Sequence, residues 1–64
     1  MGMTLNQANK VKEGDIIYSI NMDCDFKVES VELHGSIPFF KGTYLTKHNR
    51  WKDIIGYNEL KLKK

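Results

Sequence analysis

The chain of 64 residues has little of several things: one cysteine, one proline, and no apolar run long enough to cross a bilayer. With Cys24 alone, no internal disulfide can form. The domain must hold without the covalent staples usual in small secreted proteins, and a reducing, cytoplasmic compartment is the expectation. A membrane span needs about 18 consecutive apolar residues, and a secretory signal needs a basic start followed by an apolar core; the chain offers neither, so no membrane partner is expected. Position 6 is Asn where a myristoylation signal after Met1-Gly2 wants Ser or Thr. Metal chemistry lacks ligands, because Cys24, His34 and His48 have no paired spacing, and Asp23-x-Asp25 lacks the glycine and distal Glu of a calcium loop. Cys24 lies between Asp23 and Asp25, whose negative field disfavours a thiolate nucleophile. The glycines, at 2, 14, 35, 42 and 56, are scattered as turn and bulge residues and form no phosphate-cradling loop. No cofactor is expected.

Length excludes more. A folded chain of 7.5 kDa should expose about 4,200 Å² and its unfolded form about 10,900 Å². Burying the apolar part of the difference is worth about 95 kcal/mol, and ordering the chain costs nearly the same at about 1.5 kcal/mol per residue. Such a domain has no spare core to hollow into a catalytic pocket of about 300 Å³ or more. It is expected to be a single domain spanning residues 1–64 and not an enzyme. Hydrophobic residues at 41% and charged residues at 28% are nonetheless globular usage.

Thr4-Leu5-Asn6-Gln7 has the spacing of a capping box, and Leu5, Ala8 and Val11 follow three apart, so a short helical turn should open the fold. Glu13-Gly14-Asp15 breaks that period. From Asp15 to Ile20 the residues alternate, with one face, led by Ile16, Tyr18 and Ile20, turned inward. Asn21 to Asp25 reads as a turn. A second strand runs from Phe26 to Leu33, with Phe26 and Val28 in one phase and Val31 and Leu33 in the other; one extra residue near Glu29-Ser30 restores the register as a β-bulge. His34 to Pro38 reads as a loop. A third strand covers Phe39 to Thr46, with Phe40 and Gly42 on one face and Phe39 and Lys41 on the other. Trp51 to Ile55 is a strand or a helical turn that buries Trp51 and one of Ile54 and Ile55, and Glu59 to Lys63 alternates as a last strand. A bent second strand suits a closed barrel better than a flat sheet.

The segment Val11-Lys12-Glu13-Gly14-Asp15-Ile16-Ile17 resembles the opening of small bacterial SH3-like β-barrels, in which a Lys-x-Gly-Asp turn feeds an apolar strand. The resemblance implies an all-β, partly open SH3-like barrel of four or five antiparallel strands with a short N-terminal helical turn. An OB-type barrel is the alternative.

Charge is the one uneven feature. Residues 1–40 carry three lysines against six acids, whereas residues 41–64 carry six lysines and one arginine against two acids. Five of the seven aromatics also lie from residue 39 onward. Cations that neutralise phosphates, interleaved with rings that stack on bases, are what sequence-tolerant nucleic-acid binding requires, and Lys41, Tyr44, Lys47, Arg50, Trp51 and Lys52 are the candidates. With a single arginine, base-specific reading is not expected. The competing expectation is a protein-interaction module. It would use Phe39, Phe40 and Trp51 as a peptide groove, accept a strand at a sheet edge, or pair with a second copy to complete a thin core. A stand-alone barrel of this size would also suit a phage or other mobile element.

Overall fold

A computed structural model describes residues 2–46 and 51–63. Its elements are α1 (Leu5–Ala8), β1 (Ile16–Ser19), β2 (Cys24–His34), β3 (Ile37–Leu45), β4 (Lys52–Gly56), a 3-10 turn (Tyr57–Glu59) and β5 (Leu60–Lys61). The strands form one antiparallel sheet in the order β4-β3-β2-β1-β5, curled into a half-barrel. From β1 to β4 each strand pairs with its neighbour in sequence, and β5 returns beside β1. This order is compatible with an SH3-like arrangement and differs from the Greek-key order of an OB barrel.

The helical turn forms as its caps dictate. The Thr4 hydroxyl accepts the Gln7 N–H at 3.2 Å, and the Gln7 side chain accepts the Thr4 N–H at 2.9 Å. Four residues cannot sustain an isolated helix, so α1 depends on packing. Ala8 and Val11 are buried with Met3, while Leu5, expected on the same stripe, is exposed.

The Lys-x-Gly-Asp segment is a turn held from both sides. The Asp15 carboxylate accepts the Lys12 N–H at 3.0 Å, and the Asp15 N–H donates to the Lys12 carbonyl at 3.1 Å. Gly14, at φ +95°, supplies the left-handed step and donates its N–H to the Val28 carbonyl. The turn thus fixes where β1 begins and ties it to the middle of β2.

The inward phase of β1 differs from the expected one. Ile17 and Ser19 are buried, and Ile16 is exposed. The register explains this, because Ile17 lies opposite Phe26 and Ser19 opposite Leu60, both fully buried. Serine is tolerated inside because its hydroxyl accepts the Met22 N–H. Tyr18, on the outer face, carries the Lys61 ammonium 5.4 Å from its ring centre.

The bulge in β2 falls where the phase change put it. Val28 pairs with Gly42 and Ser30 with Lys41, leaving Glu29 as the extra residue. Phe26, Val28, Val31 and Leu33 therefore lie opposite Tyr44, Gly42, Phe40 and Pro38, all on one face. The segment read as a loop from His34 to Pro38 is instead a two-residue hairpin turn, Gly35-Ser36, with Gly35 at φ +70°. Pro38 is accommodated in β3 because its pairing with β4 starts only at Phe39, so no partner requires its missing N–H.

Of the two readings of Trp51 to Ile55, the strand is found, as β4. Ile55, opposite Phe40 on the inner face, is buried, and Ile54, on the outer face, is 44% exposed; Trp51, expected to be buried, is instead 40% exposed, just before the strand in the same phase as Ile55. The last strand is shorter than expected, since a 3-10 turn occupies Tyr57–Glu59 and only Leu60 and Lys61 pair with β1. The core comprises Met3, Ala8, Val11, Ile17, Phe26, Val28, Phe40, Tyr44, Ile55 and Leu60.

Candidate interaction surfaces

Strand geometry decides how the candidate residues are distributed. Successive side chains on a strand point to opposite faces, so a sequence that alternates cations with rings separates them in space. Lys41 and Lys52 lie on the outer face, where the register also places Lys27 and Lys61: Lys27, Thr43 and Lys52 form one cross-strand row, and Tyr18 and Lys61 another. Tyr44 and Trp51 are on the inner face, their ring centres 5.6 Å apart, with the Tyr44 N–H donating to the Trp51 carbonyl. Lys47 and Arg50 lie outside the described residues.

The outer lysines are partly committed to acids. The Lys52 ammonium bonds the Glu29 carboxylate at 2.8 Å, with Thr43 donating to the same group at 2.7 Å. The bond from Lys52, then that from Thr43, holds the Glu29 carboxyl below its ordinary value of 4.5. Lys63 bonds Asp25 at 3.0 Å. Lys41 has no ion-pair partner among the described residues.

Among the rings, Tyr44 is 4% exposed and packs edge-on against Phe26 at 5.1 Å. Its hydroxyl donates to Asp53 at 2.9 Å. Burial, then this hydrogen bond and the charge of Asp53, pushes the Tyr44 hydroxyl up to about 12. The unfolded chain releases this proton near 10. The stability contributed by the neutral hydroxyl is therefore complete below pH 10 and is lost as pH rises to about 12. In alkaline thermal melts, Tyr44→Phe should decline less steeply across that window than the wild type. Equal slopes would show that Tyr44 does not carry the effect.

Phe40 is fully buried, and Phe39, on the other face, is half-buried with the His34 ring stacked on it at 4.5 Å. Phe39, Phe40 and Trp51 thus do not line one groove. Trp51 is the one ring of the sequence-derived sets that stands 40% exposed. Burial and then the charges of Asp25 and Asp23 push the Cys24 thiol up. Among the described residues no group of His, Cys, Asp and Glu could hold a metal ion. Among the described residues no helix is long and apolar enough to cross a membrane.

A surface that the sequence reading did not select lies at the far end of β2 and β3. Val31 and Leu33 share the inner face with Phe40 and Pro38, yet only the β3 side is covered there: Phe40 and Pro38 are buried, while Leu33 is 67% exposed and Val31 is 37% exposed. Ile37, at the turn, is exposed as well. The signal was present in the sequence as the phase change after Glu29, which assigned Val31 and Leu33 to the inner face. It was silent on what would cover them. No protein-family model, curated protein or solved structure matches this chain.

Proposed function

We propose that the chain is a non-enzymatic binding module of the SH3-like half-barrel kind whose ligand is a protein, engaged through the uncovered inner face of the β2–β3 hairpin. One observation carries this reading: Leu33 occupies a core-facing phase opposite buried Pro38 and is still 67% exposed. A domain with a near-zero balance of burial against chain entropy gains from covering such a side chain, and full burial of a leucine is worth about 1.5–3 kcal/mol. Nucleic-acid binding has less support. Lys41 and Lys52 lie on the face opposite Tyr44 and Trp51, and Lys52 and Lys63 already hold carboxylates.

The test is size-exclusion chromatography of extracts from cells that make the protein. Wild type should elute well above 7.5 kDa, and its position should survive nuclease treatment. Leu33→Asp, at an exposed position, should keep the thermal midpoint and elute free. Collapse of the wild-type peak on nuclease treatment, or binding of labelled oligonucleotides that weakens steeply above about 50 mM salt, would favour nucleic acid instead.

A further inference from the structure

We propose that the outer edge of β4 accepts an extended, acidic segment of a partner protein as a sixth strand, separately from the hairpin surface. β4 ends the sheet and is paired only with β3 among the described residues. Because the Tyr44 N–H donates to the Trp51 carbonyl, the alternation of the antiparallel ladder turns the backbone groups of Lys52, Ile54 and Gly56 away from β3. These are the donors and acceptors an added strand would use.

The side chains define which segment fits. On the outer face, Ile54 lies directly opposite Lys41, with Lys52 two residues before it on the same strand. Lys41, Lys52, Asp53 and Ile54 line a shallow depression of about 300 Å³. An incoming strand would set one side chain against Ile54; Lys52 already holds Glu29, so the unpaired Lys41 ammonium, directly across from Ile54, is the charge that favours an apolar residue flanked at spacing two by carboxylates. Edge strands are commonly guarded by lysine. Lys41, however, is on the inner neighbour β3, has no ion-pair partner among the described residues, and stands over an exposed isoleucine.

Asp53 guards this edge. Its carboxylate accepts the outward N–H of Ile54 at 2.8 Å and the Tyr44 hydroxyl at 2.9 Å. The ladder donor at the centre of the edge is therefore occupied by an internal acceptor, which an arriving strand must displace. A charged guard also repels an acidic segment, so its removal should favour the ligand that Lys41 selects.

The probe is an acetylated peptide, Thr-Glu-Thr-Val-Thr-Glu-Thr, titrated into the labelled protein by nuclear magnetic resonance, beside a counterpart with lysine for each glutamate. The acidic peptide should shift the amides of Lys52, Ile54 and Gly56 and lose affinity as salt rises. Lys41→Glu should weaken it about tenfold, and Ile54→Asp should abolish it. Asp53→Ala should bind more tightly than Asp53→Asn, since both remove the charge but asparagine keeps an acceptor for the Ile54 N–H. Leu33→Asp should leave this binding unchanged while abolishing the hairpin interaction, so the two surfaces fail independently. Equal binding of both peptides, shifts confined to the hairpin, or no shift at millimolar peptide overturns the proposal.

Discussion

Replacing Gly42 with alanine should leave the domain largely unfolded at room temperature. Gly42 pairs with Val28 beside the bulge, and a Cβ there would meet the backbone carbonyl oxygen of Lys27 and the edge of the Phe26 ring. A backbone oxygen cannot rotate aside as a side chain does, so β2 and β3 would have to separate at the point where β2 bends. Overpacking of this kind costs about 3 kcal/mol or more when the obstacle is rigid. A single core of this size rarely supplies more than about 3–5 kcal/mol in total. Far-ultraviolet circular dichroism during urea titration measures the loss directly; a midpoint near that of the wild type would show that β2 and β3 can part here without penalty.

The second large effect is expected at Phe26. Its ring is fully buried, lies opposite both Ile17 and Tyr44, and so joins β1 to β3 through β2. Phe26→Ala removes the side chain common to these contacts and leaves a cavity that the surrounding strands cannot close, a change worth about 3–5 kcal/mol. That is as much as a core of this size is expected to supply, about 3–5 kcal/mol. Phe26→Leu keeps most of the volume and should retain a cooperative, weakened transition. If Phe26→Ala melts cooperatively within a few degrees of wild type, the core is not organised around this ring.

Much of this fold was legible in the residues because local chemistry and tertiary packing agree. The Thr4–Gln7 box forms as read, and Glu29 is the bulge that the phase change required. Gly42 was read as a small residue beside Phe40, but its necessity depends on how closely the Lys27 backbone approaches, which no single-strand pattern encodes. The inward phase of β1 was misread because hydrophobicity favoured Ile16 and Tyr18, whereas register with Phe26 and Leu60 selected Ile17 and Ser19. Ser19 betrays its burial only through a hydrogen bond made three residues away.

The candidate surface was less legible, for a geometric reason. Lysines and aromatics adjacent in sequence suggest one composite site, but on paired strands their spacing places Lys41 and Lys52 on the outer face and Tyr44 and Trp51 on the inner face. Exposure of Leu33 could not be foreseen either. Its phase marks it as inward, and only the extent of the other elements determines that nothing in the described chain covers it.

The central claim, that the hairpin's inner face is covered by a protein, is tested most directly by placing a photoreactive residue at position 33 and irradiating cells that make the chain. A discrete protein adduct is expected, competed away by excess wild type but not by Leu33→Asp, and absent when the photoreactive residue replaces Lys10. A nucleic-acid adduct at position 33, or no adduct there at all, would contradict the claim.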